Sequence, residues 1–173
     1  MIGNDIVDLA KAKAESNIFR PRYLSKVCNQ QEVDLILSNM NSYNTFWRIW
    51  TMKESAYKAL QRQISFSSIF NPLAFGCYFE DPETGKVNFQ EHQLTTTTLQ
   101  TENFIYSEIM TTKAHQRFFG STLDFLLKLK QEWDLRSLPK ISKSKLGLPF
   151  LNLQEESLPV SKTHHGNFQV FQY

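Results

Sequence analysis

The chain has 173 residues, of which 41% are hydrophobic and 21% are charged, a balance typical of a soluble globular protein. Its net charge of +2 is too small to indicate nucleic-acid binding, and no apolar run approaches the ~20 residues that span a membrane. Cys28 and Cys77 fit no metal-ligand spacing, so free thiols in a cytoplasmic protein are expected. Residues 1–9 carry two aspartates and no basic region, which is unlike a secretory signal.

The N-terminal third of the sequence predicts one strand and two helices. Apolar residues in the segment Ile2 to Leu9 indicate a short strand, and Glu15 to Leu24 indicates a loop or short helix. Asn29 and Glu32 have the spacing of a capping box and predict a helix that ends near residue 40. A longer helix is predicted from about Tyr43 to about Gln63.

The remaining sequence predicts several strands and one helix, which begins after the N-cap Ser121 and ends near Trp133. The predicted strands are 73–79, 87–94, 104–110, 150–153 and 167–173, with a breaker-rich connection at 66–72 and a turn at 81–85. Separated helices and hairpins favour the α+β class over a doubly wound sheet.

The segment Phe46 to Leu60 carries the strongest signal in the chain. On a helical wheel, Lys53 falls in the middle of a wide apolar arc. Either its stem packs there while the ammonium reaches water, or the ammonium points into a cleft toward an anion. Glu54 and Lys58 share a separate stripe, where two opposite charges four residues apart typically form a surface ion pair.

The N-terminal strand supplies a second carboxylate. Asp5 stands in a segment apolar enough to be buried, and strand alternation puts it on the face opposite Asp8. A buried carboxylate needs a partner or a metal ion. If Asp5 and Glu54 converge, their oxygens suit magnesium, and Lys53 and Lys58 would flank the phosphates of a substrate.

Five segments, in the same order and with similar spacing, resemble motifs of the 4′-phosphopantetheinyl transferase superfamily. Residues 2–8, Ile-Gly-Asn-Asp-Ile-Val-Asp, resemble its opening G-I-D-I motif, and residues 50–58 resemble its W-(S/T)-x-K-E-(A/S)-x-x-K motif. Residues 23–32 resemble F-x-x-R-x-x-(T/S)-x-x-E, with Lys26 in the place of the arginine. Residues 147–149 resemble a G-K-P turn, and residues 160–164 resemble an S-x-(S/T)-H segment.

The resemblance implies the 4′-phosphopantetheinyl transferase fold in one domain, residues 1–173, of the short holo-acyl-carrier-protein synthase type. It implies a cytoplasmic enzyme, with a role in fatty acid biosynthesis, that uses magnesium to move 4′-phosphopantetheine from coenzyme A to a serine of an acyl or peptidyl carrier protein, releasing 3′,5′-ADP. Residues from about 80 to 145 have no match and are interpreted as an inserted hairpin and helix region. Short members form trimers with active sites between subunits, so either a homotrimer or an in-chain wall from the insertion is expected.

The resemblance also implies roles for the residues of the acidic motifs. Asp5 and Glu54 correspond to the magnesium ligands, while Val7 stands where fused members have a third acid. Lys53 and Lys58 correspond to lysines that hold the coenzyme A phosphates. Asp5, Glu54 and Lys58 are therefore the catalytic candidates, and the base for the carrier serine is either Glu54 or a water on the metal.

The C-terminal motif implies a nucleotide-binding segment. It places Ser161, Thr163 and His164 near the 3′-phosphate of coenzyme A, and His165 is a second candidate for the role of His164. Lys162 stands where the family usually has an apolar residue, so this chain departs from the motif at that position.

Basic residues are concentrated between positions 11 and 26, against the single acid Glu15. They are Lys11, Lys13, Arg20, Arg22 and Lys26. This surface is either an ordinary solvated face or a docking site for an acidic partner, which under the resemblance is the carrier protein. Two other functions remain open from the residues alone, a magnesium-dependent phosphohydrolase and a non-catalytic protein that binds coenzyme A or a carrier.

Overall fold

The computed structural model describes residues 1–64, 69–112, 115–153 and 156–173, so residues 66–68 of the expected connection lie outside the described residues. These ranges contain five α-helices and eleven strands, which confirms the α+β class. The helices are α1 (Leu9–Glu15), α2 (Leu24–Val27), α3 (Gln30–Ser38), α4 (Ser42–Leu60) and α5 (Thr122–Glu132). The strands are β1 (Asn4–Asp8), β2 (Gly76–Phe79), β3 (Thr84–Phe89), β4 (His92–Gln100), β5 (Phe104–Ile109), β6 (Arg117–Phe119), β7 (Lys140–Lys143), β8 (Pro149–Asn152), β9 (Ser157–Pro159), β10 (Ser161–His165) and β11 (Phe168–Gln172).

The strands form three antiparallel sheets. The main sheet has the order β1-β5-β4-β3-β2, and β1 pairs with β5 so that Asp5 lies opposite Ser107. A second sheet, β10-β11-β6, packs against β1, and a third sheet, β7-β8-β9, contacts β10 through β8. Among the described helices, none is long and apolar enough to cross a bilayer.

Helix α4 lies across the main sheet. Its apolar side chains Phe46, Ile49 and Met52 are fully buried, while Thr51 forms a 2.8 Å hydrogen bond between its hydroxyl and that of Ser107 on β5. Gly3 permits the close approach of β1, because a Cβ there would lie 2.7 Å from the backbone nitrogen of Ala59. The chain therefore carries Asp5 directly beneath the C-terminal half of α4.

The starts of two helices can be compared with the local sequence signals, since one was predicted and the other was missed. The capping box at α3 is confirmed, since the Asn29 side chain accepts from the Glu32 backbone at 3.0 Å and the Glu32 carboxylate accepts from the Asn29 backbone at 2.9 Å. Helix α1 was not predicted, although Asp8 is its N-cap and accepts a hydrogen bond from the backbone of Lys11 at 3.1 Å. A short polar residue before an Ala- and Lys-rich run was the signal that could have revealed it.

The stretch from 80 to 145 has two structural parts. Its first part, β3 to β5, belongs to the main sheet, and β5 is the direct neighbour of β1. The expected strand 87–94 is two strands instead, because the chain reverses at Gln90, which has a φ of 51°. The second part includes α5, where the ring of Phe125 stacks on that of Phe171 with centroids 4.2 Å apart. Only this second part lies outside the main sheet.

Candidate active site

Asp5, Glu54 and Lys58 lie together where β1 passes under α4. The ammonium of Lys58 is 2.7 Å from Asp5 Oδ1 and donates to the Asn4 carbonyl oxygen at 3.0 Å. Glu54 sits one helical turn earlier, with Oε2 4.0 Å from Lys58 Nζ. One cation is thus shared between two carboxylates from different elements, in a partly buried position rather than on an open helix surface.

This clustering changes the acidity of Glu54. Burial, and then the negative charge of Asp5, raise the pKa of Glu54 from 4.5 to about 7, while the Lys58 ammonium acts in the opposite direction. The side chain of Glu54 is only 20% exposed, so solvent relieves little of this repulsion. A bound cation would therefore reduce the repulsion between the carboxylates of Asp5 and Glu54 and stabilise their ionised forms.

Strand β10 fixes the β1 side of the site. Thr163 donates from its hydroxyl to Asp5 Oδ1 at 2.8 Å, and Ser161 donates to the side-chain oxygen of Asn4 at 2.7 Å. Both residues are buried, with their hydroxyls directed at β1. The hydroxyl donors of Ser161 and Thr163, which were expected near a nucleotide phosphate, are thus used to position Asn4 and Asp5, although Ser161 also lines a cavity beside Lys58.

The alternate residues of β10 face the other way. Lys162 and His164 line a cavity, and His164 is exposed. His165 returns to the β1 side, where its Nδ1 accepts a hydrogen bond from the Asp8 backbone at 3.0 Å. Of the two histidines, His164 is therefore the one placed to meet a ligand, and strand alternation is the reason.

Lys53 lies apart from this cluster. It is completely buried, and its ammonium donates to Glu32 Oε2 at 2.7 Å, to the Val27 carbonyl at 2.9 Å and to the Pro72 carbonyl at 3.0 Å. Neither interpretation of the helical wheel is correct, since the ammonium reaches neither water nor a cleft. The structure also contradicts the expectation that Lys53 holds a coenzyme A phosphate, because all three N–H donors are used and no surface is exposed.

Glu32 completes a structural hub around Lys53. Its carboxylate also accepts from the Cys77 backbone at 2.7 Å and from the Asn29 backbone at 2.9 Å. One buried ion pair thus joins α3, α4 and β2. Glu32 ends one of the resembling motifs and Lys53 stands inside another, but nothing in their spacing indicated that they would pair.

A cavity of about 610 Å³ opens beside Lys58. Its walls come from the end of α4, the turn at 147–149, β7 and β10. The residues lining it are Tyr57, Lys58, Gln61, Arg62, Thr122, Ile141, Lys143, Leu146, Gly147, Leu148, Pro149, Ser161, Lys162 and His164. Arg62 and Lys143 were not identified from the sequence, because they lie outside the resembling motifs.

Another cavity, of about 580 Å³, lies near the N-terminal end of α4 and includes neither Asp5 nor Glu54. Its buried Arg48 donates to the carbonyl oxygens of Asp81 at 2.9 Å and Thr84 at 2.8 Å, and its guanidinium stacks 3.8 Å from the centre of the Phe79 ring. Arg48 thus holds the turn between β2 and β3 against α4, which is a structural role.

Comparison with known proteins identifies a family for this chain. Residues 1–118 match the family model of the 4′-phosphopantetheinyl transferase superfamily. A solved holo-[acyl-carrier-protein] synthase from Helicobacter pylori, in complex with coenzyme A, is 17% identical, with a TM-score of 0.51 over 64% of this chain and 98% of that chain. The Thermotoga maritima holo-[acyl-carrier-protein] synthase is 13% identical, with a TM-score of 0.48 over 91% of this chain and 83% of that chain. No curated protein matches the chain.

The first of these structures shows a shared fold. The family match covers more than half of the chain and includes the three residues that meet under α4, namely Asp5, Glu54 and Lys58. This chain belongs to the 4′-phosphopantetheinyl transferase superfamily.

Proposed function

We propose that the chain, as a single domain, transfers 4′-phosphopantetheine from coenzyme A to a serine of an acyl or peptidyl carrier protein. Membership of the superfamily supports the reaction class. The observation that carries the proposal is the position of Lys58, which contacts Asp5 and also lines the cavity. A phosphate held by Lys58 would lie at the boundary between the carboxylate pair and a cavity with room for a nucleotide.

In the proposed reaction, the serine oxygen attacks the β-phosphorus of coenzyme A. A new P–O bond forms to serine, the P–O bond to 3′,5′-ADP breaks, and the electron pair leaves with the nucleotide. Lys58 stabilises the charge on the phosphoryl oxygens as it develops. The carboxylate of Glu54, 4.0 Å from Lys58, takes the serine proton in this proposal.

The carboxylate pair fits a magnesium ion. Magnesium takes one or two protein carboxylates and completes its shell with water and substrate oxygens. The described residues contain no group of three or more His, Cys, Asp and Glu side chains that could hold a metal. The proposed site instead rests on the two carboxylates that meet at Lys58. We propose Glu54 and Oδ2 of Asp5 as ligands, since Lys58 and Thr163 both contact Oδ1. When bound, the ion would neutralise charge on the pyrophosphate.

The titration of Glu54 tests this metal site without any substrate. In the metal-free protein we expect the carboxyl to titrate near pH 7, and magnesium to lower that pKa because the ion competes with the proton. The folded-state pKa lies above the ordinary value, so the proton stabilises the fold below about pH 4.5 and this contribution is lost as the pH rises through 7. Carbon-detected NMR of the Glu side chains, with Glu54→Gln for assignment, measures the pKa of Glu54 without magnesium and with it. An unchanged titration in saturating magnesium would contradict the site.

Transfer itself is tested by incubating the protein with coenzyme A, magnesium and an apo carrier protein. We expect mass spectrometry to show the carrier serine gaining the phosphopantetheine group, with 3′,5′-ADP released in equal amount. Cleavage of coenzyme A without carrier modification would indicate a hydrolase instead. Binding without any cleavage would indicate a non-catalytic coenzyme A or carrier-binding protein.

The basic segment around α1 is the proposed carrier-docking surface. Its side chains are exposed, and within the described ranges only Lys11 is paired with an acid, Glu15 at 3.8 Å. Replacing Arg20 and Arg22 with Gln should weaken carrier binding several-fold at low salt and flatten its dependence on ionic strength, because rim charges act mainly by screened long-range attraction. Titration of the carrier at several salt concentrations measures this change. The control is Lys130→Gln, which removes an exposed lysine of α5. Assembly of this chain into a homotrimer, which the family resemblance implied, remains a separate prediction.

A further inference from the structure

The cavity beside Lys58 is strongly cationic. Lys58, Arg62, Lys143 and Lys162 line it, and no Asp or Glu is among the lining residues. Within the described ranges, Arg62, Lys143 and Lys162 form no ion pair with any carboxylate. Three positive charges are therefore gathered around one cavity, and no carboxylate of the described residues is paired with them.

Lys162 is held in the cavity by an unusual contact. Its ammonium donates to the hydroxyl of Thr122 at 3.1 Å, and Thr122 is the first residue of α5. A cation at a helix N-terminus is unfavourable, because the helix dipole is positive there. Asp124 in the first turn partly offsets this, but it bonds with Ser121 and is not among the cavity-lining residues. A bound anion would interact favourably with both the ammonium and the helix end.

Arg62 and Lys143 add charge from two other directions. Arg62 follows α4 and donates to the carbonyl oxygens of Val160 at 2.6 Å and Pro149 at 3.2 Å, which leaves its Nε and Nη1 without a partner among the described residues. Lys143 is exposed at the end of β7 and lines the cavity together with Ile141. Lys162 comes from a different sheet, so three separate segments direct positive charge to one place.

We propose that Lys143 and Lys162, with Arg62 behind them, bind a phosphate of the nucleotide end of coenzyme A. The proposal rests on the proposed function for the nature of the ligand. It explains how the site holds a nucleotide although the hydroxyl donors of Ser161 and Thr163 are used on Asn4 and Asp5, and residue 148 is a leucine where the resembling turn has a lysine. The residues proposed here, Arg62 excepted, lie beyond residue 118, where the family match ends.

Direct binding of 3′,5′-ADP, measured by calorimetry on the full chain, tests this without requiring transfer activity. Lys143→Met and Lys162→Met should each weaken binding roughly tenfold, the size expected for a lost charge-assisted contact. Lys162→Arg should keep most of the affinity. Lys140→Met is the matched control, because it removes a lysine of the same strand that does not line this cavity, and it should change binding less than twofold.

Parallel titrations with 3′-AMP and 5′-AMP identify the phosphate. If the variants weaken 3′-AMP but not 5′-AMP, the site binds the 3′-phosphate; the reverse pattern assigns it to the 5′ side, and either supports the proposal. Wild-type affinity in both Met variants, or an equal loss in Lys140→Met, overturns it. If nucleotide binding depends on these lysines but no carrier is modified, the proposed function fails while the phosphate site stands.

Discussion

Glu54→Gln is expected to abolish detectable transfer, a loss of at least about a thousandfold, while the protein stays folded. The substitution keeps the size of the side chain but removes one of the two carboxylates under α4. Both roles proposed for Glu54, as metal ligand and as proton acceptor, need the charge, so the loss should exceed the hundred- to thousand-fold effect of removing a single electrostatic contact. The rate of carrier modification at saturating coenzyme A and magnesium is the measurement.

The same variant should not lose stability. A carboxylate that burial and Asp5 hold at a raised pKa of about 7 destabilises the folded state when it is ionised, so the neutral amide should keep or raise the melting temperature above pH 7. Glu102→Gln, on the exposed turn between β4 and β5, is the control for removing a carboxylate elsewhere and should leave transfer unchanged. Turnover at the wild-type rate in Glu54→Gln would sink the proposed mechanism.

Lys53→Met should unfold the protein about 10 °C earlier, through a loss of roughly 3–5 kcal/mol in the free energy of unfolding. The substitution leaves the Glu32 carboxylate fully buried without its cation, and it removes the hydrogen bonds to Val27 and Pro72. Thermal or urea denaturation measures the change. Lys86→Met, which breaks the partly exposed pair with Glu80, should cost less than about 1 kcal/mol.

Two measurements distinguish a structural role for Lys53 from a ligand-binding role. Adding Glu32→Gln to Lys53→Met removes the unpaired buried charge, so the two losses should not add and part of the stability should return. Binding of 3′,5′-ADP by Lys53→Met, measured below its melting temperature, should stay within about twofold of wild type. A stable Lys53→Met protein with weakened nucleotide binding would restore the original expectation for this residue.

The sequence determined β1 and α4, the two elements that carry the acidic residues of the site, because local signals were sufficient there. Helix α4 has enough residues to show its periodicity, and the capping box at Asn29 involves groups three residues apart. Short strands were missed: β6, β7 and β9 have three or four residues each, too few to show alternation. The two acidic motifs and their order were enough to single out Asp5, Glu54 and Lys58 before any geometry was known.

Only the tertiary structure decided which lysine meets the carboxylates. Lys53 and Lys58 both looked suitable on the helix, but their ammonium groups end in different environments because Glu32 and Asp5 approach α4 from different sides. The direction of β10 was decided in the same way. The hydroxyls of Ser161 and Thr163 bond to acceptors on β1, while the side chains of Lys162 and His164 line the cavity. The sequence shows which residues are charged. Which of them become partners depends on contacts between residues far apart in the chain, and no local pattern predicts those contacts.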